Sequence, residues 1–183
     1  QLQDINISPP IAVVLDIFPD HLDAHKSFKE YLEAKSNIAQ YQVRDNQIFY
    51  FRGNKFSAQI AKYGLGKKVS VAAGTKLFKP EELKIIGEHN FKNAVMAMVV
   101  AKEVGCEQDI IRETVLDFKG LEHRLEFVRS VILRPQPKDL SGDNNEILRD
   151  AQNDIAVTFY NDSASTNPQT TIAAIQSFKE PII

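Results

Sequence analysis

Two carboxylates and two imidazoles lie within six positions of each other near the start of the chain. Asp20, His21, Asp23 and His25 come shortly after the apolar run 11–15, which has the composition of a buried strand. Side chains that follow a parallel strand collect at the edge of the sheet where α/β proteins bind ligands. The cluster therefore predicts a metal or phosphate site.

A structural role explains the same residues as well. Asp20 and Asp23 could cap the helix that begins nearby, because carboxylates accept its unpaired N–H groups and favour its positive end. His25 could be a solvated surface side chain. On the residues alone both interpretations stay open.

Lys35 lies fourteen positions after His21, in the segment Y-L-E-A-K. Taken by itself it is predicted to be a solvated helix lysine, since lysine is rarely buried.

The polar loop 161–167, between a strand and a helix, also allows two interpretations. It could hold phosphate or ribose groups at the helix N-terminus, or it could simply cap that helix.

The elements that must position these residues follow an α/β pattern. A strand at 11–15 leads to a helix at 27–39, whose start at Ser27 and Glu30 fits a capping box. From 46 to 78 the pattern predicts only short strands, at 48–51 and 68–72. Further helices are predicted at 88–103, ended by Gly105, and at 108–118. Their predicted apolar faces are Ala94, Val95, Ala97, Met98 and Ala101 on the first, and Ile110, Ile111, Thr114, Val115 and Phe118 on the second.

A change in character near 119–123 predicts a domain boundary. Strands at 125–128 and 157–160 follow, and then a helix at 168–178 with Pro168 in its first turn. The intervening stretch 134–154 is polar and buries too little to offset its ordering entropy, so we predict a disordered surface insertion. Residues 181–183 read as the start of a new strand, and both ends of the chain look cut, which indicates a fragment.

Composition excludes several classes of protein. With 43% hydrophobic and 25% charged residues, the chain has the make-up of a globular domain with a core. A net charge of −2 argues against nucleic acid as a partner, and the lack of a long apolar stretch argues against a membrane partner. The single cysteine, Cys106, is expected to be half-buried and without a chemical role, and it fits a reducing cytoplasm.

Four segments stand in a recognisable order. They are F-P-D-H-L-D-A-H with Y-L-E-A-K, then G-E-H-N-F-K-N-A, then G-L-E-H-R-L-E, then N-D-S-A-S-T-N-P. The series resembles the Mur ligase family of ATP-dependent amide-forming enzymes. The last two segments are most similar to the branch that adds D-glutamate to UDP-N-acetylmuramoyl-L-alanine.

The resemblance implies ATP and Mg²⁺ as cofactors and an acyl phosphate as intermediate. His21 matches the family's magnesium ligand, and Lys35 matches the lysine that becomes carbamylated. A protonated lysine has the wrong charge beside Mg²⁺, whereas reaction of its neutral amine with CO₂ gives an anionic oxygen ligand. The implied substrates are D-glutamate and the uridine nucleotide, with the protein a cytoplasmic monomer.

The resemblance also assigns nucleotide contacts. Asn90 and Asn93 match positions around the adenine, and Asn90 could at the same time cap its helix. Arg124 matches the arginine that reaches the ATP phosphates, with a planar cation suited to their oxygens. Asp162 matches the residue that accepts from the ribose hydroxyls, and Thr166 matches one near the D-glutamate pocket. His123, next to Arg124, is interpreted as an orienting or structural residue.

Some positions depart from the family pattern. Ala164 replaces a common lysine, and Asp16 stands where asparagine is usual. No G-x-x-G-K-[ST] loop occurs, so we expect that loop and a metal-binding glutamate to lie upstream of Gln1. The chain alone is then expected to have no ligase activity.

We therefore predict an α/β fold in two parts. Residues 1–120 are expected to form part of a P-loop-type central ATP-binding domain, and 121–183 the start of a Rossmann-like C-terminal domain. The alternatives are another Mur or folylpolyglutamate-type ligase, or a non-catalytic nucleotide-binding fragment. The segment N-D-S-x-x-T-N argues against a folylpolyglutamate-type enzyme, whereas Ala164 and the insertion favour the non-catalytic fragment.

Overall fold

The structure, a computed structural model, describes residues 2–19, 25–133, 155–165 and 168–182. These residues form two compact units. The first comprises Gln1–Lys119 with Gln176–Pro181, and the second comprises Gly120–Ile175 with Ile182. No helix among the described residues combines the length and the apolar character needed to cross a bilayer.

The first unit is built on a parallel three-stranded sheet. Its strands β1 (Ile11–Val14), β2 (Gln47–Phe51) and β3 (Lys67–Val71) are hydrogen-bonded in the order β1-β2-β3. Helix α1 (Phe28–Gln40) connects the first two strands, and the short helix α2 (Lys55–Ile60) connects the last two. Such β-α-β connections are what parallel neighbours require.

The central strand β2 is covered on both faces. Ile48 packs with Ala12, Val14 and residues of α1 and α2, whereas Phe49 and Phe51 pack with Val71 and residues of the later helices. Successive side chains of a strand point to opposite faces, so β2 contributes to two apolar clusters. The continuous apolar run I-F-Y-F of β2 allows this packing, because such a run is typical of a strand buried on both sides.

Helices α3 (Glu88–Glu103) and α4 (Gln108–Asp117) complete the first unit, after a 3-10 turn at Pro80–Glu82. Helix α3 ends in a Schellman motif. The N–H of Cys106 donates to the carbonyl of Ala101, and the N–H of Gly105 donates to that of Lys102. Gly105 has φ +91°, a left-handed conformation that glycine adopts without strain.

The second unit contains an antiparallel pair of strands and one helix. Strand β4 (Glu126–Leu133) pairs with β5 (Ile155–Asn161), with a register shift between Phe127 and Arg129. Helix α5 (Pro168–Ile175) begins with its proline, as predicted.

Several expectations from sequence are corrected. Helix α2 lies where only strands were expected. The apolar faces of α3 and α4 are narrower than predicted, because four of their predicted members are exposed: Ala97, Ile110, Thr114 and Phe118. Helix α5 ends at Ile175 rather than at 178, and 181–182 form no strand. Cys106 is exposed, not half-buried. The predicted insertion 134–154 lies outside the described residues.

Candidate functional site

The carboxyl end of β1 leads into the segment that carries the charged cluster. Asp20, His21 and Asp23 lie outside the described residues, so their predicted roles stay predictions. The part of the segment before them is held in place by α2. Asn54 Nδ2 donates to the carbonyl of Ile17 at 3.1 Å, and the fully buried Ser57 Oγ donates to that of Leu15 at 2.5 Å.

Asn54 is also the N-cap of α2. Its Oδ1 accepts from the N–H groups of Phe56 at 3.1 Å and Ser57 at 2.9 Å. One side chain thus satisfies orphan donors of the helix and fixes the strand end that precedes the cluster. Sequence reasoning missed this pair, and its signal was an asparagine after a strand with serine three positions on.

Helix α1 begins with a modified form of the predicted capping box. Ser27 Oγ accepts from the N–H of Glu30 at 3.2 Å, as expected. The Glu30 carboxylate accepts from the N–H of Lys26 at 3.0 Å, one residue before the cap, instead of from Ser27 itself. The two contacts fix the start of the helix that carries Lys35.

Lys35 is half-buried on α1, and its Nζ lies 5.2 Å from the centroid of the Tyr31 ring. Tyr31 is 6% exposed, and the His25 ring meets its ring edge-on with centroids 5.5 Å apart. A cation over an aromatic face is attracted by the ring quadrupole, which lowers the freedom of a long side chain. The contact with Tyr31 therefore restricts the Lys35 side chain, whereas the residue type alone predicts a fully solvated one.

His25 is the one member of the charged cluster that the structure describes. Its Nδ1 is buried and has no hydrogen-bond partner among the residues that the structure describes. Among the described ranges, no group of three or more His, Cys, Asp or Glu side chains is placed to hold a metal. A cationic amine and an imidazole do not form a Mg²⁺ site by themselves, because Mg²⁺ demands oxygen ligands. The oxygen ligands of such a site would come from other residues or from a modified Lys35.

The N-terminus of α3 carries the two predicted adenine contacts. The N-cap of the helix is Gly87, which directly precedes it and has φ of +99°, so the capping role considered for Asn90 is wrong. Asn90 Nδ2 instead donates to the carbonyl of Ile86 at 2.7 Å, and no residue in the described part of the chain occupies its acceptor Oδ1. Asn93 lies three positions on, on the same side of the helix, and is half-buried.

Arg124 stands in a strained turn at the start of the second unit. Its neighbours His123 and Leu125 have φ values of +64° and +47°, a region that residues other than glycine seldom occupy. Such conformations cost on the order of 1–3 kcal/mol each and persist only where surrounding contacts enforce them. The Arg124 side chain is exposed and forms no ion pair with any residue that the structure describes.

Asp162 supplies one of the enforcing contacts. Its Oδ1 accepts from the N–H of Leu125 at 3.0 Å, and its Oδ2 accepts from Ser165 Oγ at 2.5 Å. An ionised carboxylate has about four lone-pair positions, so each oxygen can accept another hydrogen bond. The predicted ribose contact is thus compatible with a structural role that sequence reasoning missed. Thr166 lies outside the described residues.

His123 is held by two further side chains. Its Nδ1 lies 2.8 Å from Asn161 Nδ2, and its N–H donates to Glu126 Oε2 at 2.8 Å. Asn161 Nδ2 also donates to Glu126 Oε2 at 3.3 Å. These contacts support the structural interpretation of His123. The turn and the loop after β5 therefore bring together two of the predicted segments, G-L-E-H-R-L-E and N-D-S.

A shallow depression elsewhere in the first unit contains none of the predicted site residues. It has a volume of about 480 Å³ and is lined by Lys84, Asp109, Arg112, Glu113, Leu116 and Asp117. Lys84 forms an ion pair with Asp117, and this hydrogen bond with the lysine charge lowers the pKa of the Asp117 carboxyl. Two of the charged groups that face the depression are thus paired with each other, and Arg112 pairs with Glu82, which does not line it.

Comparison with known proteins identifies the family of the chain. Residues 1–101 match the family model of the Mur ligase middle domain. A protein of Clostridium kluyveri named UDP-N-acetylmuramoylalanine--D-glutamate ligase is 31% identical over the whole chain, which covers 39% of that relative. A protein of the same name from Caldanaerobacter subterraneus subsp. tengcongensis is 32% identical over 96% of the chain, which covers 38% of it.

A solved structure shows the same fold. The crystal structure of MurF from Acinetobacter baumannii superposes with a TM-score of 0.67 at 20% identity, over 93% of this chain and 37% of that one. At such identity the likeness establishes the α/β architecture and no more. The middle-domain match, which covers more than half of the sequence, establishes the family. The chain therefore belongs to the Mur ligase family.

Proposed function

We propose that this chain is part of an ATP-dependent ligase that joins D-glutamate to UDP-N-acetylmuramoyl-L-alanine through an acyl phosphate, in peptidoglycan precursor synthesis. The observation that carries the proposal is the match of about 31% identity over the whole chain to relatives with that ligase name. The chain spans 39% of the length of the first of these relatives, so activity is assigned to the complete protein.

The proposed domain assignment has two supports. Residues 1–120 would be part of the central ATP-binding domain, and 121–183 the start of the C-terminal Rossmann-like domain. The middle-domain match ends at 101, within the first part, and the two compact units divide after Lys119. The single cysteine is in keeping with the proposed cytoplasmic location, and we propose a monomer.

Lys35 and His21 are the proposed holders of Mg²⁺, with Lys35 as its carbamate. When bound, Mg²⁺ neutralises charge on phosphate oxygens during transfer. The support within the chain is the half-buried position of Lys35, whose Nζ is held over Tyr31 and so restricted before any modification. A carbamate at this position would present oxygens where the amine presents only a positive charge.

The remaining proposed roles concern the nucleotide and the amino acid. Arg124 would neutralise phosphate charge, and its exposed guanidinium has no acidic partner in the described chain. Asn90 and Asn93 would contact the adenine, Asp162 the ribose, and Thr166 the D-glutamate. The acceptor of Asn90, which is unoccupied by any described residue, supports the adenine role, and the spare lone pairs of Asp162 support the ribose role.

Phosphate release by the complete protein tests the reaction. We expect release from ATP to require UDP-N-acetylmuramoyl-L-alanine and D-glutamate together. If another amino acid supports faster release, the D-glutamate assignment fails and the family assignment stands. If no amino acid supports release, a non-catalytic nucleotide-binding role replaces the proposal.

Chemical rescue tests the role of Lys35. We expect Lys35→Ala in the complete protein to lose turnover, and added formate or acetate to restore part of it, because a small carboxylate can occupy the place of the carbamate. Lys29→Ala, on an exposed face of the same helix, serves as the control and should keep full turnover. A Lys35→Ala variant that does not respond to carboxylates would contradict the carbamate.

A further inference from the structure

The backbone around Arg124 is held by contacts within its own segment and by contacts to the loop after β5. Within the segment, the N–H of Arg124 donates to the carbonyl of Leu121 at 3.3 Å. The N–H of Leu125 is bound by Asp162, the N–H of His123 by Glu126, and the carbonyl of His123 accepts from the N–H of Ala164 at 2.8 Å. With His123 and Leu125 both at positive φ, the turn has no local preference for this shape. Its conformation therefore depends on these contacts.

Glu126 is the centre of the network. Its Oε2 accepts from the N–H of His123 and from Asn161 Nδ2, at 2.8 Å and 3.3 Å. Asn161 Nδ2 also contacts His123 Nδ1, so if the amide donates there, the imidazole proton lies on Nε2. Asn161 Oδ1 in turn accepts from the N–H of Ser163 at 3.2 Å. One carboxylate and one amide thus join the turn to the loop after β5.

We propose that Glu126 and Asn161 are positioning residues for Arg124. They hold its backbone in the strained turn and so direct the guanidinium, without touching a nucleotide themselves. The inference rests on the proposed function for the identity of what Arg124 binds, whereas the hold on the turn is a property of the chain itself. Neither residue was assigned a role by the motif resemblance.

Glu126→Ala and Glu126→Gln separate the hydrogen bonds from the charge. The alanine variant removes the acceptor for both donors, whereas glutamine keeps an acceptor oxygen and loses only the charge. We expect kcat to fall about tenfold or more for alanine, in line with the loss of a hydrogen bond to a charged group, and to stay within about threefold for glutamine. Glu122→Ala, an exposed carboxylate of the same segment, is the matched control and should be unchanged.

A double-mutant cycle with Arg124→Ala in the complete protein tests whether Glu126 acts through the arginine. If it does, Glu126→Ala should lower kcat in the native background and have no further effect once Arg124 is alanine. Equal losses in both backgrounds would overturn the positioning role. So would an unchanged kcat for Glu126→Ala.

Amide hydrogen exchange gives a readout that does not depend on the reaction. The amides of 123–125 should exchange at least tenfold faster in Glu126→Ala and in Asn161→Ala than in the native protein, and at the native rate in Glu126→Gln. Unchanged exchange in both alanine variants would refute the hold on the turn even in a fully active ligase. If the complete protein has no ligase activity but the alanine variants still exchange faster, the role of these residues in stabilising the turn is supported and only the proposed function is refuted.

Discussion

Asn54 offers the sharpest test of how the fold fixes the strand end that precedes the charged cluster. Asn54→Ala removes two hydrogen bonds that cap α2 and one that binds the carbonyl of Ile17. Loss of an N-cap costs about 1 kcal/mol, and loss of a half-buried hydrogen bond about 1 kcal/mol. We therefore expect the free energy of unfolding to fall by about 2 kcal/mol.

Asn54→Asp separates the contribution of the N-cap from that of the hydrogen bond to Ile17. Aspartate keeps the cap acceptor but cannot donate to Ile17, so the expected loss is about 1 kcal/mol. Urea unfolding followed by circular dichroism measures both variants, and amide exchange over 15–19 shows whether the strand end loosens. Gln59→Ala, exposed on the same helix, should stay within about 0.5 kcal/mol of the native value. The reasoning is refuted if Asn54→Ala behaves like this control, or if aspartate costs as much as alanine.

Two further predictions concern the first unit. A methyl group at Gly64 would overlap the carbonyl oxygen of Ala39, so Gly64→Ala should lower the free energy of unfolding by about 1–3 kcal/mol. Gly74 has open space around it, so Gly74→Ala should change the free energy of unfolding by less than about 1 kcal/mol. Urea unfolding measures both variants. The pKa of Asp117 is lowered by its hydrogen bond to Lys84 and by the lysine charge, so an NMR titration should find it below 3.8 and Lys84→Met should return it there. Because the pKa of Asp117 is lower in the folded than in the unfolded state, the stabilisation by this pair is present above about pH 3.8. It is lost as pH falls through the folded-state pKa.

The strands and longer helices were predictable because their apolar spacing is strong. Helix α3 begins and ends where its pattern and Gly105 place it. Helix α2 was missed because six residues are too few to display a helical period, and only its cap marks it. The exposed Ile110 and Phe118 show the limit of periodicity, which identifies an apolar face but not how much of it a neighbour covers.

The site was predictable only in part, for a different reason. Resemblance assigned roles to Arg124 and Asp162, but no local pattern indicates how the loop after β5 holds the turn. Asn161 and Glu126 are 35 positions apart, and Asp162 and Leu125 are 37 apart. Contacts between such distant positions depend on strand pairing, which the spacing of residues in one segment does not encode.

The engaged carboxylate of Asp162 has a thermodynamic consequence. Because the amide of Leu125 and both carboxylate oxygens of Asp162 have partners within the chain itself, the segments that they join lose conformational entropy during folding. Calorimetry should accordingly register a smaller unfavourable entropy for association at Arg124 than for a loop that orders only when its ligand arrives.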